Sequence, residues 1–309
     1  MPMALVTGGA GFIGSHLVEA LLARGMQVRV LDNLSTGSLE NLRGLRAEFV
    51  EGDIRDREAV DRAMRGVERV FHLAAMISVP GSMEDPMGCY ETNLMGSLRV
   101  LEAAREHGVR SAVLASSAAV YGEVETPVDE DMLPHPQSPY AASKLAMEQA
   151  GRLYVENYDL PVVSLRFFNV YGPRQSPDSP YAAVIPAFIR ALLDGRAPVI
   201  YGDGEQMRDF IFVGDVARAM ILASESEHVA GEVFNIGSGT AISIQELAAI
   251  LCELMPGAPG VDYGPSRPGD IRFSSANIEN ARQRIDFYPE VALEAGLMKV
   301  LQWFRSVRS

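Results

Sequence analysis

The segment Gly8-Gly9-Ala10-Gly11-Phe12-Ile13-Gly14 constrains this chain more than any other. It follows a short apolar run, Ala4 to Thr7, and opens a stretch of helical spacing from Phe12 to Arg24 that Gly25 stops. Glycines spaced in this way between a strand and a helix form the fingerprint of a dinucleotide-binding turn. Glycine at 8 permits the tight turn, at 11 it lets a phosphate approach the backbone, and at 14 it lets helix pack closely on strand. The helix N-terminus then meets the pyrophosphate with its unpaired N–H groups. Gln27 to Leu31 reads as a second strand, and Asp32 ends it. A carboxylate there accepts hydrogen bonds from both ribose hydroxyls and repels a 2'-phosphate, which favours NAD over NADP. Asp53, in Gly52-Asp53-Ile54 at the end of a third strand, is placed to bond the adenine.

Further strand signals at Ala47 to Val50, Val67 to Leu73, Ser111 to Ala115 and Val162 to Phe168 alternate with helix-length segments, including Tyr140 to Asn157. This alternation predicts an α/β fold with a doubly wound, mostly parallel sheet, a Rossmann domain. After Asn169 the texture changes. Tyr171-Gly172-Pro173 and Ser176-Pro177-Asp178-Ser179-Pro180 break the pattern, and Pro198 to Val213 reads as two strands of a hairpin around Gly202-Asp203-Gly204. A helix near Asp215 to Ser224 and a strand at Val233 to Ile236 are placed to rejoin the main sheet. The expected division is an NAD-binding domain over 1–170, completed by about 205–238, and a smaller C-terminal substrate-binding domain from 171–204 and 239–309.

Composition excludes other classes. A chain of 309 residues with 48% hydrophobic and 22% charged side chains belongs with soluble globular proteins. Its net charge of -13 repels polyphosphate backbones, so no nucleic-acid partner is expected. No apolar run reaches the roughly 18 residues a membrane-spanning helix needs. The opening residues Met1 to Val6 lack a basic region and read as a first strand, which points to a cytoplasmic protein. Cys89 and Cys252 are far apart and the five histidines show no ligand spacing, so a reduced cysteine pair and no metal are expected.

Lysine is scarce: Lys144 and Lys299 stand against 25 arginines. Tyr140-Ala141-Ala142-Ser143-Lys144 puts a phenol and one of those two ammonium groups on one helix face. A phenol of ordinary pKa, about 10, is a poor base at neutral pH. An ammonium and a positive nicotinamide both favour the phenolate and bring the tyrosine towards a useful range. Ser116-Ser117 ends the fifth strand, where a hydroxyl can bond a reacting oxygen. An exposed tyrosine–lysine pair of no consequence has the same spacing; the dinucleotide fold upstream and the rarity of lysine weigh against it.

These motifs resemble the extended short-chain dehydrogenases/reductases, and within them the UDP-glucose 4-epimerase group. The resemblance runs from Val6-Thr7-Gly8 to Arg267-Pro268-Gly269-Asp270. It includes Asp32-Asn33-Leu34-Ser35-Thr36-Gly37, His72-Leu73-Ala74-Ala75, Ser116 to Gly122, Tyr140 with Lys144, and Arg166 to Pro173. It implies a reaction without net redox: Tyr140 takes the sugar 4-hydroxyl proton, NAD takes and returns the C4 hydride, Lys144 bonds the nicotinamide ribose, and Ser117 bonds the reacting oxygen. By the same resemblance Phe12, Ile13, Asp32 to Gly37 (Asn33, Leu34, Ser35 and Thr36 between them), Asp53 and Ile54 hold the adenosine end. Leu73, Ala74, Ala75, Asn93 and Phe168 hold the nicotinamide end. Asn169, Arg208, Arg267 and Asp270 grip the nucleotide diphosphate, while Val199 to Tyr201 line the base pocket.

Within the resemblance, the sugar 4,6-dehydratases carry an Asp-Glu pair after the catalytic hydroxyl, and the UDP-glucuronate decarboxylases a glutamate. Here Ala118 and Ala119 stand in those positions. Epimerisation needs neither. The position that gates the sugar pocket is Ser274, small enough to admit UDP-N-acetylglucosamine as well as UDP-glucose. Met76-Ile77-Ser78 replaces a lysine found near the cofactor phosphates in some epimerases. Epimerisation of another nucleotide sugar such as UDP-glucuronate, a one-way reductase, and an NAD-sensing regulator without chemistry are the other readings; the last fits poorly with a retained tyrosine and lysine. The family implies a homodimer through the helices near Ser97 to Glu106 and Ser143 to Asn157.

Overall fold

A computed structural model describes residues 2–176, 183–266 and 271–308. The strands β1 (Met3–Thr7), β2 (Gln27–Asp32), β3 (Glu48–Glu51), β4 (Arg69–His72), β5 (Ser111–Ser117) and β6 (Val162–Phe167) alternate with helices α1 (Phe12–Ala23), α2 (Arg57–Met64), α3 (Val79–Glu84), α4 (Pro86–Tyr90), α5 (Ser97–Glu106) and α6 (Pro139–Tyr158). A π-helical turn, Glu91–Gly96, joins α4 to α5. Then come β7 (Asn169–Tyr171), α7 (Val184–Leu193), β8 (Val199–Tyr201), β9 (Met207–Phe212), α8 (Val213–Glu225), β10 (Val233–Ile236), β11 (Ala241–Ser243), α9 (Ile244–Glu253), β12 (Asp262–Gly264), β13 (Phe273–Ser274), α10 (Glu279–Ile285) and α11 (Leu293–Arg308).

Seven strands form one sheet in the order β10-β6-β5-β4-β1-β2-β3, and every pairing in it is parallel. A parallel sheet must be covered on both faces, so its central strands are largely buried and mostly apolar. Every residue of Val162 to Phe167 in β6 is buried, as are Leu5 and Val6 in β1. Leu17, Val18 and Leu21 of α1 meet Val216, Met220 and other residues of α8 in one apolar layer. Val60 and Met64 of α2, Val100 and Leu101 of α5 and Met147 of α6 fill the other. The order reverses between β1 and β4, which opens a crevice at the carboxyl edge of those strands.

The strand expected at Val233 to Ile236 does join the main sheet, beside β6. The hairpin expected from Pro198 to Val213 does not form. β8 pairs in parallel with β12, while β9 pairs with β7, β11 and β13 in a separate sheet. The turn at Gly202 and Gly204 is real, with positive φ at both, but its flanking strands diverge to non-local partners. Phe188, Ile189, Phe210, Leu247, Leu251, Leu301 and Phe304 make the core of this second region.

Candidate active site

The glycine turn leaves β1 with Gly8 in the left-handed region, φ 70°, and its N–H donates to the Leu31 carbonyl at 2.8 Å. A side chain at Gly14 would overlap the Gly8 carbonyl oxygen, and one at Gly8 would strike the backbone of Ala74. The turn is therefore pressed between its own helix and the segment after β4, and no residue with a Cβ fits at either position.

This turn forms one end of a cleft lined by Gly8, Gly11, Phe12, Ile13 and Gly14; by Asp32, Asn33, Ser35 and Thr36; by Asp53 and Ile54; by Leu73, Ala74 and Ala75; and by Tyr140 and Lys144. The buried Asp32 carboxylate ends β2 and is braced by two backbone N–H donors, Ala10 at 2.9 Å and Leu34 at 2.8 Å. Asp53 is bound by the Arg55 guanidinium at 2.8 Å and by the Asn33 amide at 2.8 Å. The Arg55 hydrogen bonds hold its carboxyl down at about 2.

Four of the expected cofactor contacts lie off this wall. Leu34 takes a positive φ of 58° and braces Asp32 through its main chain. Gly37 packs on Ala10. Asn93 is buried behind the wall, where its carboxamide clamps Met76 on both sides, N–H to Oδ1 at 2.7 Å and Nδ2 to O at 3.0 Å. Phe168 is buried against Val120 and Tyr121. Sequence reasoning missed Leu31, Gly52, Ile77, Thr92, Ala115 and Phe167, which also line the cleft; of the Ser116-Ser117 pair it is Ser116 that does so. One of these had a signal. Side chains alternate along a strand, and Phe167 lies opposite Ser117 across the β5–β6 ladder, so Phe167 and not Phe168 follows from register.

Helix α6 begins at the Ser138 cap, whose side chain accepts from the Ala141 N–H, with Pro139 in its first turn. This fixes the turn that carries Tyr140 and, one turn on, Lys144. The Lys144 Nζ donates to the Ala115 carbonyl at 2.8 Å and lies 5.9 Å from the Tyr140 ring centre. Burial lowers the lysine to about 8. The lowering of the tyrosine expected from that ammonium does not appear among the chain's own groups. Burial raises the phenol above its ordinary value, and a hydrogen bond with the Ser117 hydroxyl is what draws it back. The ammonium is aimed at a β5 carbonyl and not at the phenol oxygen, which accounts for the difference.

Further along the same helix, Glu148 is buried. It holds Arg166 of β6 through two bonds, at 2.7 and 3.0 Å, and accepts from the Ser116 hydroxyl. Ser116, Ser117 and α6 are thus tied together beneath the cleft.

The substrate candidates lie on the second region. Asn169, Arg208 and Ser274 sit on β7, β9 and β13, with Ser274 in register with Arg208 and the Asn169 amide donating to the Asp209 carbonyl at 3.3 Å. Val199 and Tyr201 sit on β8 and are part-exposed. Arg267 and Asp270 lie outside the described residues.

A parallel doubly wound sheet, a glycine turn at its switch point and a tyrosine–lysine pair at the mouth define a dinucleotide-dependent enzyme of the short-chain dehydrogenase/reductase class. Residues 4–237 match the NAD dependent epimerase/dehydratase family, and the chain belongs to it. It is 42% identical to the UDP-glucose 4-epimerase of Mycolicibacterium smegmatis, over 98% of each chain. Among solved structures, it matches the UDP-N-acetylglucosamine 4-epimerase from Methanobrevibacter ruminantium in complex with UDP-N-acetylmuramic acid with a TM-score of 0.95 and 41% identity, over 99% of both chains. It matches the Thermus thermophilus UDP-glucose 4-epimerase in complex with NAD with a TM-score of 0.91 and 42% identity, over 98% of this chain and 99% of that one.

Proposed function

We propose that this chain is an NAD-dependent UDP-sugar 4-epimerase that interconverts UDP-glucose with UDP-galactose and their N-acetyl counterparts. The observation that carries the reading is the meeting of Tyr140 and Lys144 at one end of a cleft whose other end is the glycine turn and Asp32, with Ser117 ending β5 next to the lining residue Ser116. The residues fit the cofactor: Gly8 and Gly14 leave room only for backbone, and the braced Asp32 carboxylate stands at the strand end where a ribose is recognised. NAD, when bound, accepts the hydride from sugar C4 and returns it to the opposite face of the 4-keto sugar.

Tyr140 takes the proton from the 4-hydroxyl and gives it back on return. Ser117 holds the same oxygen and, through its bond to the phenol, keeps Tyr140 aimed at it. Lys144, anchored on Ala115, is assigned to the nicotinamide ribose through its remaining protons. Ala118 and Ala119, in the 3-10 turn after Ser117, stand by resemblance at the positions where the dehydratases carry an acid and a base, which supports epimerisation. Asn169 and Arg208, with Arg267 and Asp270, are assigned to the diphosphate, and Val199 and Tyr201 to the base. Ser274, beside Arg208, is assigned to the sugar pocket, whose small wall suits N-acetyl sugars. We assign a homodimer in the cytoplasm, paired through α5 and α6, the helices near Ser97 to Glu106 and Ser143 to Asn157, where Leu153 is exposed.

The test is a panel of UDP-, GDP- and dTDP-sugars with products resolved by stereochemistry. C4-inverted UDP-sugar with no net change in NADH absorbance is expected. Stoichiometric NADH consumption would instead make the enzyme a reductase.

A further inference from the structure

We propose that His72, held as its Nε2–H tautomer, is a positioning residue that ties the wall of the cofactor cleft to the turn of α6 carrying Tyr140. His72 ends β4 and is fully enclosed, with Thr7 Oγ1 2.7 Å from Nδ1 and Ser97 Oγ 2.8 Å from Nε2. The Ser97 hydroxyl donates to the Asn93 carbonyl at 2.5 Å, and a carbonyl only accepts. Ser97 must therefore accept from His72, which puts the imidazole proton on Nε2.

The other side of the ring follows. Thr7 Oγ1 accepts from the Ala74 N–H at 3.3 Å and shares the Leu73 N–H, at 3.2 Å, with the Thr7 carbonyl at 3.1 Å; with Nε2 carrying the ring proton, the Thr7 hydroxyl proton points to a bare Nδ1. A second ring proton would face an oxygen whose acceptor sites are taken. Burial and the Lys144 ammonium push the ring the same way, down to about 3.

Beyond Ser97 the line continues through Asn93. The carboxamide orientation is fixed, because Met76 offers an N–H to Oδ1 and a carbonyl to Nδ2. The same Nδ2 donates to Ser143 Oγ at 3.0 Å, and Ser143 donates to the Tyr140 carbonyl at 2.7 Å. One directed chain thus runs from Leu73 and Ala74, which line the cleft, through Thr7, His72, Ser97, Asn93 and Ser143 to the residue that moves the proton. Such a chain transmits position, since breaking any member leaves a buried donor or acceptor without its partner.

The inference rests on the reading of this cleft as the nicotinamide site, and its tests separate the two. In wild-type protein labelled with nitrogen-15 histidine, NMR should show His72 protonated at Nε2 and bare at Nδ1 across the pH range in which the protein stays folded. A proton on Nδ1, or on both nitrogens, would overturn the chain whatever the reaction is.

The second test uses Thr7→Val, which keeps shape and removes the hydroxyl, with Thr7→Ser restoring it. Thr7→Val should lower kcat about tenfold while KM for the UDP-sugar stays within about twofold, and Thr7→Ser should recover most of kcat. Unchanged kcat in Thr7→Val, or a loss that Thr7→Ser fails to rescue, would refute positioning even if stability falls. Should wild-type protein turn over no UDP-sugar, the epimerase reading fails. Weaker NAD binding by Thr7→Val in titration calorimetry, recovered in Thr7→Ser, then still supports the tie, and equal binding by all three overturns it.

Discussion

At the scale of single residues, the two lysines separate cleanly. Lys144 is buried against the Ala115 carbonyl, whereas Lys299 is exposed on α11 with its Nζ 5.2 Å from the Phe212 ring centre. A guanidinium is wider and planar, so Lys144→Arg should lose roughly a hundredfold or more in kcat. Lys299→Arg should stay within about twofold, and comparable losses at both would remove Lys144 from the mechanism. The pH profile follows from the same burial. With the lysine lowered to about 8, kcat/KM should fall as pH rises through that value, because the uncharged amine is a weaker donor to the nicotinamide ribose. For stability the sign is opposite: the folded state penalises the charged lysine below about 8, and the penalty lifts as pH rises from there towards its ordinary 10.5. Tyr140 with Lys144, and Asp32 at a strand end, were legible in the sequence because each depends on spacing within one element. The His72 partners were not. Thr7 lies 65 residues away and Ser97 lies 25 away, so the contacts exist only once the β1–β4 register is set.

Elements fail or succeed by how they close on one another. The glycine turn gives two distinct expectations. Gly14→Ala drives a methyl into the Gly8 carbonyl and should cost about 1–3 kcal/mol, read as a lower urea midpoint without cofactor. Gly11→Ala meets the same oxygen at 3.1 Å, a contact that a small shift relieves, so it should weaken NAD binding in calorimetry while leaving the urea midpoint nearly unchanged. Glu148 ties α6 to β6, and Glu148→Ala strands the buried Arg166 guanidinium; a loss of about 3–5 kcal/mol in urea unfolding is expected, and a loss below about 1 kcal/mol would show that the pair is not a structural tie. The misread hairpin belongs to this scale. Gly202-Asp203-Gly204 announces a turn in any context, but which strand lies beside β8 depends on β12, some sixty residues on in the chain. Turn chemistry is local and strand partnership is not.

For the whole molecule, Leu153, exposed on α6, gives the proposed dimer a test. Leu153→Glu should halve the mass seen by sedimentation velocity while leaving the circular dichroism spectrum unchanged; a wild-type protein that is already monomeric would end the dimer assignment. The doubly wound order was readable from the rhythm of strands and helices, since every crossover but the one from β6 to β10 joins strands consecutive in the chain. The second region was harder: its sheet draws β7, β9, β11 and β13 from across more than a hundred residues, and no single stretch carries its pattern.

The docking of β10 beside β6 also governs how the chain can be cut. Val162 to Phe167 is buried on both faces, and β10 covers the side of it that β5 leaves open. A fragment ending near residue 170 would keep the glycine turn and the tyrosine–lysine pair, yet it would display that strand's bare N–H and carbonyl row to the next fragment in solution. Unprotected edges of this kind recruit one another, so the shortened protein should precipitate or form fibrils where the longer chain stays dispersed.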